Sequence, residues 1–511
     1  MVSPSSLTDL ELRNACLKLS HSFRFIRNDN EFTLPRAPLS ALGDPSFCSD
    51  HGLTFPYVAG AMANGIASEE LVIAMARAGM LGIFGAAGLD PIRVEAAINR
   101  LKKDIPGLPF GINLIHSPNE PHLEEALVDL YLKHNVCLIE ASAYMGLTPA
   151  VVRYRVTGIH RDTSGKIVTP NRIIAKVSRV EVASKFMAPP PEQMLRDLVG
   201  RGVITAEQAE LAKEIPMAQD ITAEADSGGH TDNRPAITLL PLMLALKDRL
   251  AIEHDYKQPL RVGAAGGIAT PLAAAGAFAM GAAYIVTGTI NQACLEAGTS
   301  DSVRAMLADA GQADISMAPA ADMFEMGVKV QVLKRGTMFA MRAQKLYDLY
   351  VKYPSWDEIP VAERDAVEKN FLKQSFADAW ISTKNFFASR DPKQITRAEA
   401  DPKHKMALVF RSYLGQSSRW ANAGDPGRKI DYQVWCGPAM GAFNEWAKGS
   451  FLEPAKERRA VPIALNLLYG AAVCLRVQTL RSQGLRVPAS WQNWRPLPEA
   501  EIRDMIERTP S

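Results

Sequence analysis

Ser227-Gly228-Gly229-His230 sets one imidazole on a glycine-rich turn, and two further glycine turns follow it, Gly266-Gly267 and Gly288-Thr289. An imidazole with a reference pKa near 6.5 can give or take a proton at neutral pH. Each later turn ends an apolar run, and glycine lets backbone N–H groups approach an anion because no Cβ stands in the way. Two such turns on neighbouring strands can converge on one phosphate. The series therefore points to an enzyme with a phosphate-bearing cofactor beside a proton donor. Singly, each feature has a plainer reading. A glycine pair also ends a strand tightly, and a lone histidine is more often a satisfied surface or core group.

Other polar residues fall at similar places. Asn113 interrupts an apolar run, so its amide either makes a local structural hydrogen bond or touches a cofactor. Lys176 closes a strand-like run and could set a cation beside an electron-rich ring, or simply reach solvent. Glu140, Glu224 and Asp226 end two other runs, either as loop charges or as the lining of a mouth. Gly60-Ala61-Met62-Ala63-Asn64-Gly65 is small throughout, which suits a flat ring lying on backbone with Met62 against it. It equally suits a plain loop-to-helix turn.

These residues need elements to hold them. Short apolar runs start near 56, 81, 110, 136, 172, 217, 260 and 283, and each leads into helix-compatible sequence. Strands that alternate with helices pair in parallel, because a parallel connection needs a crossover. Eight units in roughly 250 residues predict an α/β fold, a (β/α)8 TIM barrel, with phosphate held by the loops after strands seven and eight. An open doubly wound sheet would place GxGxxG after its first strand, and residues 60–65 do not fit that pattern. The expected organisation is an N-terminal segment (1–50), a barrel (51–330) with insertions near 156–170 and 188–215, and a helical extension (331–511). The first insertion reads as a hairpin around Asp162-Thr163-Ser164-Gly165. Five of the seven tryptophans lie beyond residue 400.

Composition narrows the function classes. Of the 511 residues 47% are hydrophobic and 22% charged, with a net charge of +2, which gives no reason to expect nucleic acid or a membrane surface as partner. Six scattered cysteines without metal spacing read as reduced thiols of a cytoplasmic protein, with no metal site. Residues 1–50 lack the apolar run of a signal peptide. Val262 to Leu295 is free of charge, but its glycines and Pro271 read as strand, turn, helix and strand rather than as a membrane span.

The motifs in this order resemble the FMN-dependent nitronate monooxygenase and enoyl-ACP reductase superfamily of TIM barrels. The matching stretches are GAMANG at 60–65, PFGINL at 109–114, SGGH at 227–230, AAGGIA at 264–269 and VTGT at 286–289. The resemblance implies that Gly60, Ala61, Met62 and Asn113 touch the flavin. It places Gly229, Gly266, Gly267, Gly288 and Thr289 near its phosphate and turns His230 towards substrate. Stretches at 291–300, 342–350, 406–421 and 431–446 are similar to the trans-acting enoyl reductases of polyunsaturated fatty acid and polyketide synthases. That likeness implies hydride passing from NADPH or NADH through FMN to a 2-enoyl thioester carried on acyl carrier domains. No sequence feature separates the two nicotinamide donors. A nitronate monooxygenase and a non-catalytic flavin-bound scaffold are the alternatives, and a homodimer is carried as an expectation. Arg458, Arg459, Arg476, Arg481 and Arg486 are the expected basic face for an acidic carrier domain. Tyr432, Trp435, Phe443 and Trp446 are expected to form the core of the extension.

Overall fold

Eight apolar runs become eight short parallel strands, each followed by helical sequence that supplies the crossover a parallel pairing needs. The computed structural model describes residues 8–27, 29–118, 120–229 and 231–507. The strands are β1 (Tyr57–Ala59), β2 (Leu81–Phe84), β3 (Gly111–Ile115), β4 (Leu138–Ser142), β5 (Arg172–Val177), β6 (Asp220–Glu224), β7 (Arg261–Ala265) and β8 (Ile285–Thr287). They pair in chain order, and β8 returns to β1, so the sheet closes into a barrel. The expected α/β barrel is the observed fold.

Seven of the helices between them are α1 (Glu69–Arg77), α2 (Pro91–Asp104), α3 (Pro121–Lys133), α4 (Pro149–Val156), α5 (Val180–Met187), α6 (Ala236–Glu253) and α7 (Pro271–Ala279). Four of these seven begin at capping side chains. Ser68 Oγ accepts from Leu71 N at 3.1 Å, and Asp90 Oδ1 accepts from Ile92 N at 2.8 Å. Thr148 and Thr270 cap α4 and α7 in the same way, each with proline at the first helical position. Near residue 160, a short hairpin pairs His160–Arg161 with Ile167–Val168. At the N-terminal end of the barrel, buried Arg261 donates to Asp220 (2.6 Å) and to Asp50 (2.6 Å), and His51 bonds the same Asp220 at 2.8 Å. That face is closed by structure, as barrels commonly are there.

Beyond β8 the chain departs from an all-helical extension. Ile315–Pro319 (β9) and Lys329–Leu333 (β10) form an antiparallel hairpin, and Trp435 bridges to Val332 beside it. Helices α8 (Phe339–Lys352), α9 (Phe376–Arg390), α10 (Pro392–Ala400) and α11 (Pro402–Ala423) follow. Their own core joins Phe324, Phe339, Trp356, Phe376 and Phe410. After α12 (Ala439–Ala447), α13 (Ala460–Ser482) does something different: it packs on α7 and α1 and fills the eighth place in the ring around the barrel.

α13 is also, among the described residues, the one helix long and apolar enough to cross a membrane, and it is buried inside the protein. The N-terminal segment lies on its outer end. Leu12, Phe25 and Leu34 pack with Val477, Leu480 and Trp491, and Tyr469 Oη donates to Leu17 O at 2.6 Å.

Two expected surface cations prove to be interior. Arg458 is 1% exposed and donates to Leu452 O (2.9 Å), and Arg476 is 2% exposed and donates to Lys18 O (2.6 Å). Each ties a loop carbonyl to the fold, so neither belongs to a docking face. The aromatic set also divides. Tyr432, Phe443 and Trp446 pack into the core shared with the barrel, whereas Trp435 reaches a cavity.

Candidate active site

The C-terminal ends of the strands open into a cavity of about 690 Å³. Gly60, Ala61 and Met62 follow β1, Asn113 lies on β3 and Lys176 on β5. Gly229 follows β6, Gly266 and Gly267 follow β7, and Gly288 and Thr289 follow β8. All ten line this one cavity. His230 lies outside the described residues. The turn that leads to it carries Gly229 on the cavity wall, and Thr231 bonds back to Glu224 O and Ala225 O, each at 3.1 Å.

The two late glycine turns leave room and donors. A Cβ on Gly267 or Gly288 would meet nothing within 4 Å, and Gly267 has φ +76°, a conformation that favours glycine. Among the described residues, the N–H groups of Gly267, Gly288 and Thr289 donate to no backbone carbonyl. Open space faced by undonated N–H groups suits a phosphate. The helix that starts at Thr289 is a single turn, Thr289–Gln292, so its dipole adds little and the individual N–H groups matter more. Gly266 serves packing instead: with φ +85°, its Cβ would stand 2.7 Å from the carbonyl carbon of Ala225.

Charge is fixed at the barrel end of the cavity. Lys176 Nζ lies 3.5 Å from Glu224 Oε1 and 3.7 Å from Glu140 Oε2. Burial alone would lower the Lys176 pKa, but the two carboxylates outweigh it and hold the ammonium more firmly protonated than usual. Burial raises the Glu140 pKa, against the pull of Lys176. Glu140 Oε2 also accepts from Ala61 N at 3.2 Å, while its Oε1 is buried without a partner. Asn113 makes local structural hydrogen bonds, Nδ2 donating to Glu140 O (3.0 Å) and Ser142 Oγ (2.9 Å), and it also lines the cavity.

The residues beyond 316 cover the mouth. Asn64 on the β1 loop donates to Ser418 Oγ of α11 at 3.0 Å, and Gly437 N donates to Thr289 Oγ1 at 3.3 Å. A Cβ on Gly228 would approach Cys436 N to 3.1 Å, so the loop after β6 and the segment at 436 touch closely. The outer chamber is walled by Leu123 and Leu127 from the barrel and by Phe386, Phe387, Leu408 and Trp435 from the cap. Sequence reasoning missed Phe386, Phe387, Leu408 and Ser418. Their side chains look like ordinary helix-face residues, and only the placement of α9 and α11 over the mouth gives them a role.

Residues 46–347 match the family described as nitronate monooxygenase. The chain belongs to that family. Residues 353–432, in the cap, match the inserted helical domain of [acyl-carrier-protein] S-malonyltransferase. The enoyl reductase domain of MlnA, from the macrolactin biosynthesis cluster of Bacillus amyloliquefaciens, is 41% identical. The match covers 87% of this chain and all of that one, with a TM-score of 0.83. One of the polyunsaturated fatty acid synthase subunits of Thraustochytrium sp. is 51% identical over 87% of this chain. Polyketide biosynthesis protein PksE of Bacillus subtilis is 46% identical over 86%. The chain spans 30% and 57% of the lengths of those two relatives. Its relatives thus belong to fatty acid and polyketide biosynthesis, and its barrel is that of an oxidoreductase family.

Proposed function

We propose that the protein is an FMN-dependent enoyl reductase acting in trans on 2-enoyl thioesters borne by acyl carrier domains. The reading rests on the undonated N–H groups at the ends of β7 and β8, which open into the same cavity as an apolar chamber. In this reading Gly267, Gly288 and Thr289 hold the FMN phosphate, and Gly60, Ala61, Met62 and Asn113 border the ring. Bound FMN, reduced by NADPH or NADH, supplies the hydride for the β-carbon of the enoyl thioester. The chain's share is positioning and charge. Lys176 keeps a permanent cation beside the ring site because two buried carboxylates hold its proton. Leu123, Leu127, Phe386, Phe387 and Leu408 exclude water from the acyl chain. His230, on the loop after β6, is the proposed proton donor to the α-carbon. The synthase relatives, and the cap's match to a carrier-dependent transferase, support the carrier domain as partner.

The family match favours a second reading, oxidation of nitronates, in which His230 removes a proton. Anaerobic addition of NADPH and then a crotonyl thioester to purified protein separates the readings. Flavin absorbance that bleaches and is restored by the thioester supports the reductase. Recovery with oxygen alone supports the monooxygenase, and absence of flavin removes both. Gly288→Ala offers a sharper check of the cradle. Its Cβ would enter open space at φ −127°, so the apoprotein should melt nearly as wild type does while flavin affinity falls about tenfold or more. Undiminished flavin affinity would place the phosphate elsewhere.

A further inference from the structure

Four cationic side chains line the cavity among the described residues, and three are neutralised. Lys176 pairs with Glu140 and Glu224, Arg390 with Glu120, and Arg411 with Glu325 at 3.1 Å. Arg419, on α11, is the exception: it has neither an ion pair nor a hydrogen bond among the described residues, and nothing but a ring holds it.

That ring is Phe386. The Arg419 guanidinium lies 5.7 Å from its centroid, and that of Arg390 lies 5.4 Å from the same centroid. Two cations thus share one aromatic ring at the cavity wall. Glu120 cancels only Arg390, gripping it with both carboxylate oxygens. Arg419 is exposed at the cavity rim, and its partial desolvation and then the nearby charge of Arg390 lower its pKa, so an anion there would be favoured. The neighbouring Ser418 is anchored to Asn64 at 3.0 Å, which fixes this part of α11 over the barrel mouth. A planar guanidinium with free donors, pre-positioned by a ring and facing a cavity, is suited to a phosphate.

We infer that Arg419 is the phosphate-recognition residue of the cavity mouth and binds a phosphate ester of a molecule entering the site. The inference rests on the enoyl reductase reading and adds a specificity determinant to it. That reading admits two sources of the group: the 2′-phosphate of NADPH and the phosphate of a phosphopantetheine arm.

Equilibrium binding by calorimetry on the full chain tests it without turnover, using NADP+, NAD+, 4′-phosphopantetheine and pantetheine. Wild type should prefer at least one phosphorylated ligand over its phosphate-free counterpart. Arg419→Ala should erase that preference, weakening the phosphorylated ligand about 10- to 100-fold, and Arg419→Lys should restore part of it. Loss confined to NADP+ assigns the 2′-phosphate, and loss confined to 4′-phosphopantetheine assigns the carrier arm. Equal affinities in wild type and Arg419→Ala for all four ligands overturn the inference, as does failure of wild type to bind either phosphorylated ligand. If the protein binds phosphate through Arg419 but reduces no enoyl thioester, the functional reading falls and this one stands. If Arg419→Ala binds unchanged and still reduces a crotonyl thioester, only this inference falls.

Discussion

Glu140, Lys176 and Glu224 are brought together from three different strands, and each depends on the others. A buried ion pair contributes little net stability, but removing one member leaves a charge with no compensation. Lys176→Met should therefore lower the melting temperature, by the equivalent of about 3–5 kcal/mol, because Glu140 is wholly buried and its Oε1 is already unpartnered. Glu140→Gln in the same background should recover part of that loss, and an unchanged melting curve in Lys176→Met would refute the coupling. The sequence pointed to Lys176 and to both carboxylates, since each stands where an apolar run stops. It could not pair them, because pairing depends on β4, β5 and β6 being neighbours in a closed sheet. Arg458 and Arg476 were misjudged for a related reason. Arginine is usually a surface residue, and the carbonyls that satisfy these two come from turns and loops whose positions no local pattern encodes.

Polar contacts tie the cap to the barrel at several points, and Arg390 on α9, which lines the cavity, makes one of them. Its bidentate pair with Glu120, just before α3, joins the end of α9 to the loop after β3. Breaking it with Glu120→Gln should speed amide exchange in residues 376–400 by about three- to tenfold while barely moving the global melting temperature, as a partly exposed pair is worth about 1 kcal/mol. Exchange that stays at the wild-type rate would mean that the apolar contacts alone hold α9 down. The barrel strands were legible because each apolar run is answered by helical sequence, capped by a side chain at Ser68, Asp90, Thr148 and Thr270. The β9–β10 hairpin was not. Its strands flank a nine-residue connection (320–328) with no tight-turn signature, amid sequence otherwise suited to helices.

At the scale of the molecule, the region beyond residue 330 divides its work. The stretch up to α11 covers the mouth, and α13 completes the barrel's outer ring. Gly470 marks that join: a Cβ there would lie 2.7 Å from Pro271 of α7 and 2.8 Å from Trp494. Gly470→Leu should destabilise the fold by about 1–3 kcal/mol through overpacking, and amide protection should fall in β7 and β8 as well as in α13. Loss confined to residues beyond 330 would show instead that α13 belongs to an independent unit. The expected basic face set Arg476 and Arg481 of α13 at the surface, although the helix is apolar on nearly all sides and mostly buried. Which surface it covers follows only from the vacancy that β8 leaves between α7 and α1.

That vacancy has a consequence in time. During synthesis the eighth strand leaves the ribosome well before the helix that must cover it. With 172 residues between Thr287 and Ala460, elongation at about 5–20 residues per second leaves the flanks of α7 and α1 bare for roughly 9 to 34 seconds. The nascent barrel is therefore a natural client for a chaperone over that interval. The segment at residues 9–34 waits longer still, because it precedes both the barrel and the helix it rests on.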